Sequence, residues 1–150
     1  ADNWETLKLD EGPSPRARHA LGYDRKRKRL VLFGGRAGKN MNDLWELKGT
    51  TRWKEIDFKF EGETPPGDAD GFLNGASFVF NTEIQELILH GGEAAGKPLR
   101  RTYLYDGTRF KEIAATGPRA DYSAFAWDPK RKVAVLHGPD GTWELTITGK

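Results

Sequence analysis

The run "LVLFGG" at residues 30–35 returns as "LILHGG" at 87–92 and again as "AVLHGP" at 134–139. No other feature constrains the fold as much, because self-similarity along a chain means stacked copies of one supersecondary unit. The pairs Tyr23-Asp24, Phe80-Asn81 and Trp127-Asp128 set the phase: each lies the same distance ahead of Gly34, Gly91 and Gly138. Between aromatic and apolar run stand "DRKRKR", "NTEIQE" and "DPKRK", polar segments suited to a solvent-facing reversal. The unit reads as a β-hairpin. A third strand follows each glycine after a variable loop: "DLWEL" at 43–47, "TYLY" at 102–105 and "GTWEL" at 141–145. A fourth follows in two copies, "TRWKEI" at 51–56 and "TRFKEI" at 108–113. Four short strands repeated about every 50 residues make one blade of a β-propeller. In this reading Trp45, Tyr103 and Trp143, alternating with polar neighbours, pack between blades.

The segments "PRARHALGYD" (15–24) and "NDLWEL" (42–47), the Gly34-Gly35 pair and Trp53 together resemble the kelch family. The likeness runs over essentially the whole chain and is strongest in the first repeat. In the second, Tyr103 stands for Trp45 and Phe110 for Trp53; in the third, Pro139 replaces the second glycine and the loop before Trp143 is short. The resemblance implies an all-β, kelch-like propeller closed by a strand from one terminus that completes the blade built by the other. The units fall at 15–57, 73–113 and 120–148. The last stops after its third strand, whereas "NWETLKL" at 3–9 aligns with "RWKEI" and "RFKEI", Trp4 standing for Trp53 and Phe110. Three blades fall short of the roughly four to eight that close a ring. They would leave two apolar faces and one strand edge in water. The expectation is a two-fold homodimer forming one six-bladed ring, residues 1–9 of each copy closing the partner's last blade. The competing expectation is that the chain is half of a longer propeller.

Composition narrows function by exclusion. The chain's 150 residues suit one domain. A net charge of +2 gives no support to a nucleic-acid or membrane partner, and no apolar run is long enough to span a bilayer. No signal peptide is read, although a start at Ala-Asp-Asn is compatible with processing or trimming; the compartment stays open. The chain has no cysteine, which removes disulfides, thiolate catalysis and cysteine-based metal sites. It also excludes the copper-radical oxidation of some kelch-like enzymes, which needs a cysteine cross-linked to a tyrosine. The glycine pairs are not phosphate loops, since no Lys-Ser/Thr or helix start follows them. No metal or cofactor is expected: His90 and His137 occupy the position that Phe33 holds in the first repeat, a packing slot rather than a ligand set.

The polar residues that stand out lie where inner strands begin. His19 sits in "PRARH", and the third repeat has "GPRADYS" in its place. Counted from the proline, Arg119 matches Arg16, Asp121 matches Arg18 and Tyr122 matches His19. In a propeller the loops from fourth to first strand share a face with those from second to third. That face then gathers Arg16, Arg18, His19, Arg36, Arg100, Arg119, Asp121 and Tyr122 at a channel mouth, doubled by the dimer. Guanidinium groups around a concavity suit carboxylates, phosphates or sugar acids. The competing reading pairs them with carboxylates of neighbouring loops, holding the blades together. The long acidic connection at 58–75 joins the same face, and the basic turns lie opposite, charged to stay solvated. The function expected is a non-enzymatic binding scaffold that offers one face to a protein, peptide or glycan. The alternatives are a sugar isomerase or mutarotase, with His19 and Arg16 or Asp121 moving protons, and a structural module of a larger propeller.

Overall fold

A computed structural model describes residues 2–9, 11–49, 52–62, 74–114 and 116–147. Among these the chain is all-β, without a helix. The middle of the long connection (63–73), residue 1 of the closing segment and residue 148 of the third unit lie outside the described residues.

The first sheet is an antiparallel meander of β1 (Ala20–Asp24) and β2 (Arg29–Phe33), then, after a small ribbon of β3 (Arg36–Ala37) and β4 (Lys39–Asn40), of β5 (Leu44–Lys48) and β6 (Arg52–Glu55). The chain then enters β7 (Lys59–Glu61) and a second meander: β8 (Asn74–Asn81), β9 (Glu86–Ala94) with the short β10 (Lys97–Pro98), β11 (Thr102–Tyr105) and β12 (Arg109–Ala114). The third sheet has three strands: β13 (Ala124–Asp128), β14 (Val133–Gly138) and β15 (Gly141–Leu145).

Register repeats residue by residue. Leu30 lies opposite Tyr23 and Leu47, Leu87 opposite Phe80 and Tyr105, and Ala134 opposite Trp127 and Leu145. Because side chains alternate between faces, equal register gives equal faces. The reversals repeat as well. Asp24, Asn81 and Asp128 each accept turn N–H groups on Oδ1, and Lys28, Gln85 and Lys132 follow in the left-handed region. Of the strand-end glycines, Gly91 is the most constrained: φ is +72°, and an added Cβ would stand 2.6 Å from that of Ala120.

Two seams hold the sheets together. Ala20, Val31, Phe33 and Leu44 of the first sheet pack on Phe78, Leu87, Tyr103, Tyr105 and Phe110 of the second. The other face of the second sheet, with Val79, Ile88 and Leu104, packs on Phe125, Trp127, Ala134 and Leu145 of the third. The same two kinds of face therefore meet twice. Among the described residues, two further faces have no sheet against them. The first sheet presents Leu21, Tyr23, Trp45 and Trp53; the third presents Ala124, Ala126, Val135 and His137. This explains why Tyr103 is buried and its equivalent Trp45 only partly so.

One feature departs from the sequence reading. β7, unanticipated as a strand, pairs parallel with β12 and carries Phe58 and Phe60 into the first seam. Residues 2–9, expected to close the last blade of a second copy, pair with no strand among the described residues, and Trp4 is 99% exposed. Among the described residues β15 is an edge strand.

Candidate functional site

The inner strands begin with a repeated backbone contact. Arg18 and Tyr122 lie two residues ahead of β1 and β13, Gly75 is the second residue of β8, and all three are in the left-handed region, at φ of +63°, +74° and +59°. The N–H of Tyr122 donates to the Gly75 carbonyl at 2.9 Å, and that of Gly75 to the Arg18 carbonyl at 2.7 Å. This corrects the alignment counted from the proline. Tyr122 is the equivalent of Arg18, not of His19, and the extra residue of the third repeat is taken up between Pro118 and Tyr122.

These contacts organise a polar cluster. The Tyr122 ring lies over Gly75, where a Cβ would come within 2.7 Å of it. The Arg18 guanidinium stacks 4.8 Å from the ring centroid and donates to the phenol oxygen at 3.0 Å. That hydroxyl lies 2.9 Å from Asn74 Oδ1 and 3.2 Å from Glu93 Oε2. Asn74 in turn donates to Asn40 Oδ1 at 3.1 Å, which also accepts from Arg36 at 3.1 Å. One continuous network thus joins the second sheet to the β3–β4 ribbon and to the segments that lead into β1 and β13. Burial first, and the Glu93 charge second, raise the Tyr122 pKa, so the phenol keeps its proton near neutrality.

The other expected residues are neutralised locally. Arg16 makes a bidentate pair with Asp43, at 2.5 and 2.9 Å, and donates to the Gly34 carbonyl, with its side chain almost fully buried. Arg119 forms a bidentate pair with Asp121 at 2.6 and 2.9 Å, and Arg100 binds Asp140 at 2.9 Å. The Arg119 contact holds Asp121 below the usual carboxylate range. His19 is half-buried; burial, then the Arg16 charge, lower its pKa, and its Nδ1 has no hydrogen-bond partner among the described residues. Arg18 and Arg36 differ from these arginines: their hydrogen bonds go to neutral groups, Tyr122 and Asn40.

The repeat-equivalent histidines sit in structural contacts. His90 is buried at the second seam, its Nδ1 2.8 Å from the Thr102 hydroxyl and its Nε2 3.2 Å from the Pro118 carbonyl. A carbonyl only accepts, so Nε2–H is the donor. His137 repeats the first contact with Thr142 at 2.8 Å, on the face that no sheet covers. Among the described residues no cluster of metal-ligating side chains forms.

Sequence reasoning missed Asn40, Asn74 and Glu93. Their one signal is position: each is polar near the end of a strand, beside a glycine-containing turn or strand end. No family model matches the chain, and no curated protein matches it.

Proposed function

We propose that the chain is a non-enzymatic binding scaffold of the kelch-like propeller type. Two copies close six blades around a channel, and the Arg18–Tyr122 rim receives a protein, peptide or glycan through a carboxylate. The observation that supports it is the backbone belt running from Arg18 to Gly75 to Tyr122. In a six-bladed ring the same contact recurs between copies, with the Arg18 N–H of one meeting the Tyr122 carbonyl of the other. Both Arg18 guanidinium groups then border one opening, and among the described residues the hydrogen bond of each goes to the Tyr122 hydroxyl rather than to a carboxylate. The unpaired edge of β15 and the exposed segment 2–9 fit the same assembly.

Binding is favoured over proton transfer because the two partners named for His19 are occupied, Arg16 by Asp43 and Asp121 by Arg119. Asp121 is locked to Arg119, and a phenol with a raised pKa is a weak acid near neutrality. Calorimetric titration with glucuronate, and with glucose as its neutral counterpart, tests the reading. The acid binds and glucose does not, and R18A or R36A lowers the affinity at least roughly tenfold, in line with loss of a charge-assisted hydrogen bond. Equal binding of both sugars, or an unchanged affinity in both variants, would contradict it.

A further inference from the structure

The second seam contains a cavity of about 250 Å³ lined by His90, Phe125, Ala134, Leu136, Trp143 and Leu145, among others. The first seam has its counterpart filled. There Phe110, fully buried, sits with ring centroids 5.0 Å from Phe33, 6.3 Å from Phe78 and 4.8 Å from Tyr105. In the common register, Phe33, Phe78 and Tyr105 correspond to His90, Phe125 and Leu145. All three line the cavity. It is the position of Phe110, one repeat further on, and the strand that would bring an aromatic there is the fourth strand that the third sheet lacks.

From this we infer that the cavity is the socket for the Trp4 indole of a second copy, with residues 3–9 pairing along β15. The inference rests on the dimeric reading above and adds a site to it. Trp4 occupies the aligned place of Trp53 and Phe110 and is the most exposed large apolar side chain among the described residues. By the register of Trp53 on Leu47 and Phe110 on Tyr105, Trp4 lies opposite Leu145 and Glu5 opposite Glu144. Trp143, 48% exposed, stands at the cavity and becomes covered.

Chain length favours a second copy over the chain's own third sheet. Residue 11 is held on the first sheet by the Glu11–Arg52 ion pair, and Gly12 packs on Trp53. Seven residues back to Trp4 span at most about 25 Å when fully extended. Stacked sheets lie about 10 Å apart. The chain's own third sheet is two layers away behind the second, about 20 Å even without the detour around it. The sheet facing the open side of the first sheet is one layer away.

The absence of cysteine makes the test direct, because two introduced thiols meet no competitor. The full chain carrying Glu5→Cys and Glu144→Cys is oxidised and run without reductant, with the unmodified chain measured by light scattering beside it. A covalent dimer is expected. Trp4→Ala should weaken the wild-type dimer roughly a hundredfold per socket, and Trp4→Phe much less. Glu5→Lys should tighten it severalfold by replacing a like-charge pair with the Lys54–Glu46 arrangement of the first sheet. A dimer by light scattering that neither cross-links nor responds to Trp4→Ala would overturn the socket and leave the dimer standing. A monomer with an intrachain cross-link would keep the socket and overturn the second copy as its source. A monomer without any cross-link would overturn both.

Discussion

Asp24, Asn81 and Asp128 each close a turn with a side-chain oxygen, and each turn ends in a residue with positive φ that is not glycine. A left-handed L-residue costs roughly 1–2 kcal/mol, part of which glycine returns as chain entropy. Lys28→Gly is therefore expected to raise the melting temperature by about 2–4 °C, the shift that about 1 kcal/mol gives in a domain of this size. The aromatic–Asp/Asn pairs were legible in the sequence because the turn oxygen must be at one place. The buried place of His90 was legible from Phe33 in the same slot, and it carries a second consequence. Burial lowers its pKa below 6.5, so between that lowered value and 6.5 the unfolded chain binds more protons than the folded one. Its contribution to stability is complete above about pH 6.5 and is lost as pH falls through that window. His90→Phe should flatten the fall in melting temperature between pH 7 and 5, though not abolish it, because His19 titrates in the same sense.

At the scale of elements, the seams decide stability. Phe110 meets the rings of Phe33, Phe58, Phe60, Phe78 and Tyr105, and Phe110→Ala should cost about 3–5 kcal/mol in urea unfolding. Gly91→Ala should also destabilise, by at least about 2 kcal/mol, because it combines positive φ with a collision against Ala120. The strands of the three sheets were legible because alternation and turn signals coincide in them. β7 was not, although Ile56, Phe58 and Phe60 alternate as a strand requires; the segment directly follows a complete four-strand unit and so reads as linker. The cluster at the mouth was half legible. Basic residues mark it in sequence, but which arginine is neutralised depends on Asp43, Asp121 and Asp140, whose approach is set by loops. The misplacement of Tyr122 came from counting across an inserted residue. Left-handed backbone at Arg18, Gly75 and Tyr122 leaves no sequence signature at two of the three.

For the whole molecule, the uncovered faces complement each other. The third sheet offers small residues and His137 where the first offers Leu21, Tyr23, Trp45 and Trp53, the same division as at the two formed seams. In the proposed assembly this head-to-tail contact would repeat until the ring closes, which with three sheets per chain takes two copies. His90 donates to the Pro118 carbonyl, and in the proposed ring the repeat would bring the Pro15 carbonyl of a second copy before His137 in the same way. The assembly claim is tested most directly by multi-angle light scattering behind size-exclusion chromatography over a concentration series. The account predicts one species at twice the 16.8 kDa chain mass, shifting to monomer on dilution when residues 1–9 are deleted. A 16.8 kDa monomer at every concentration would contradict it.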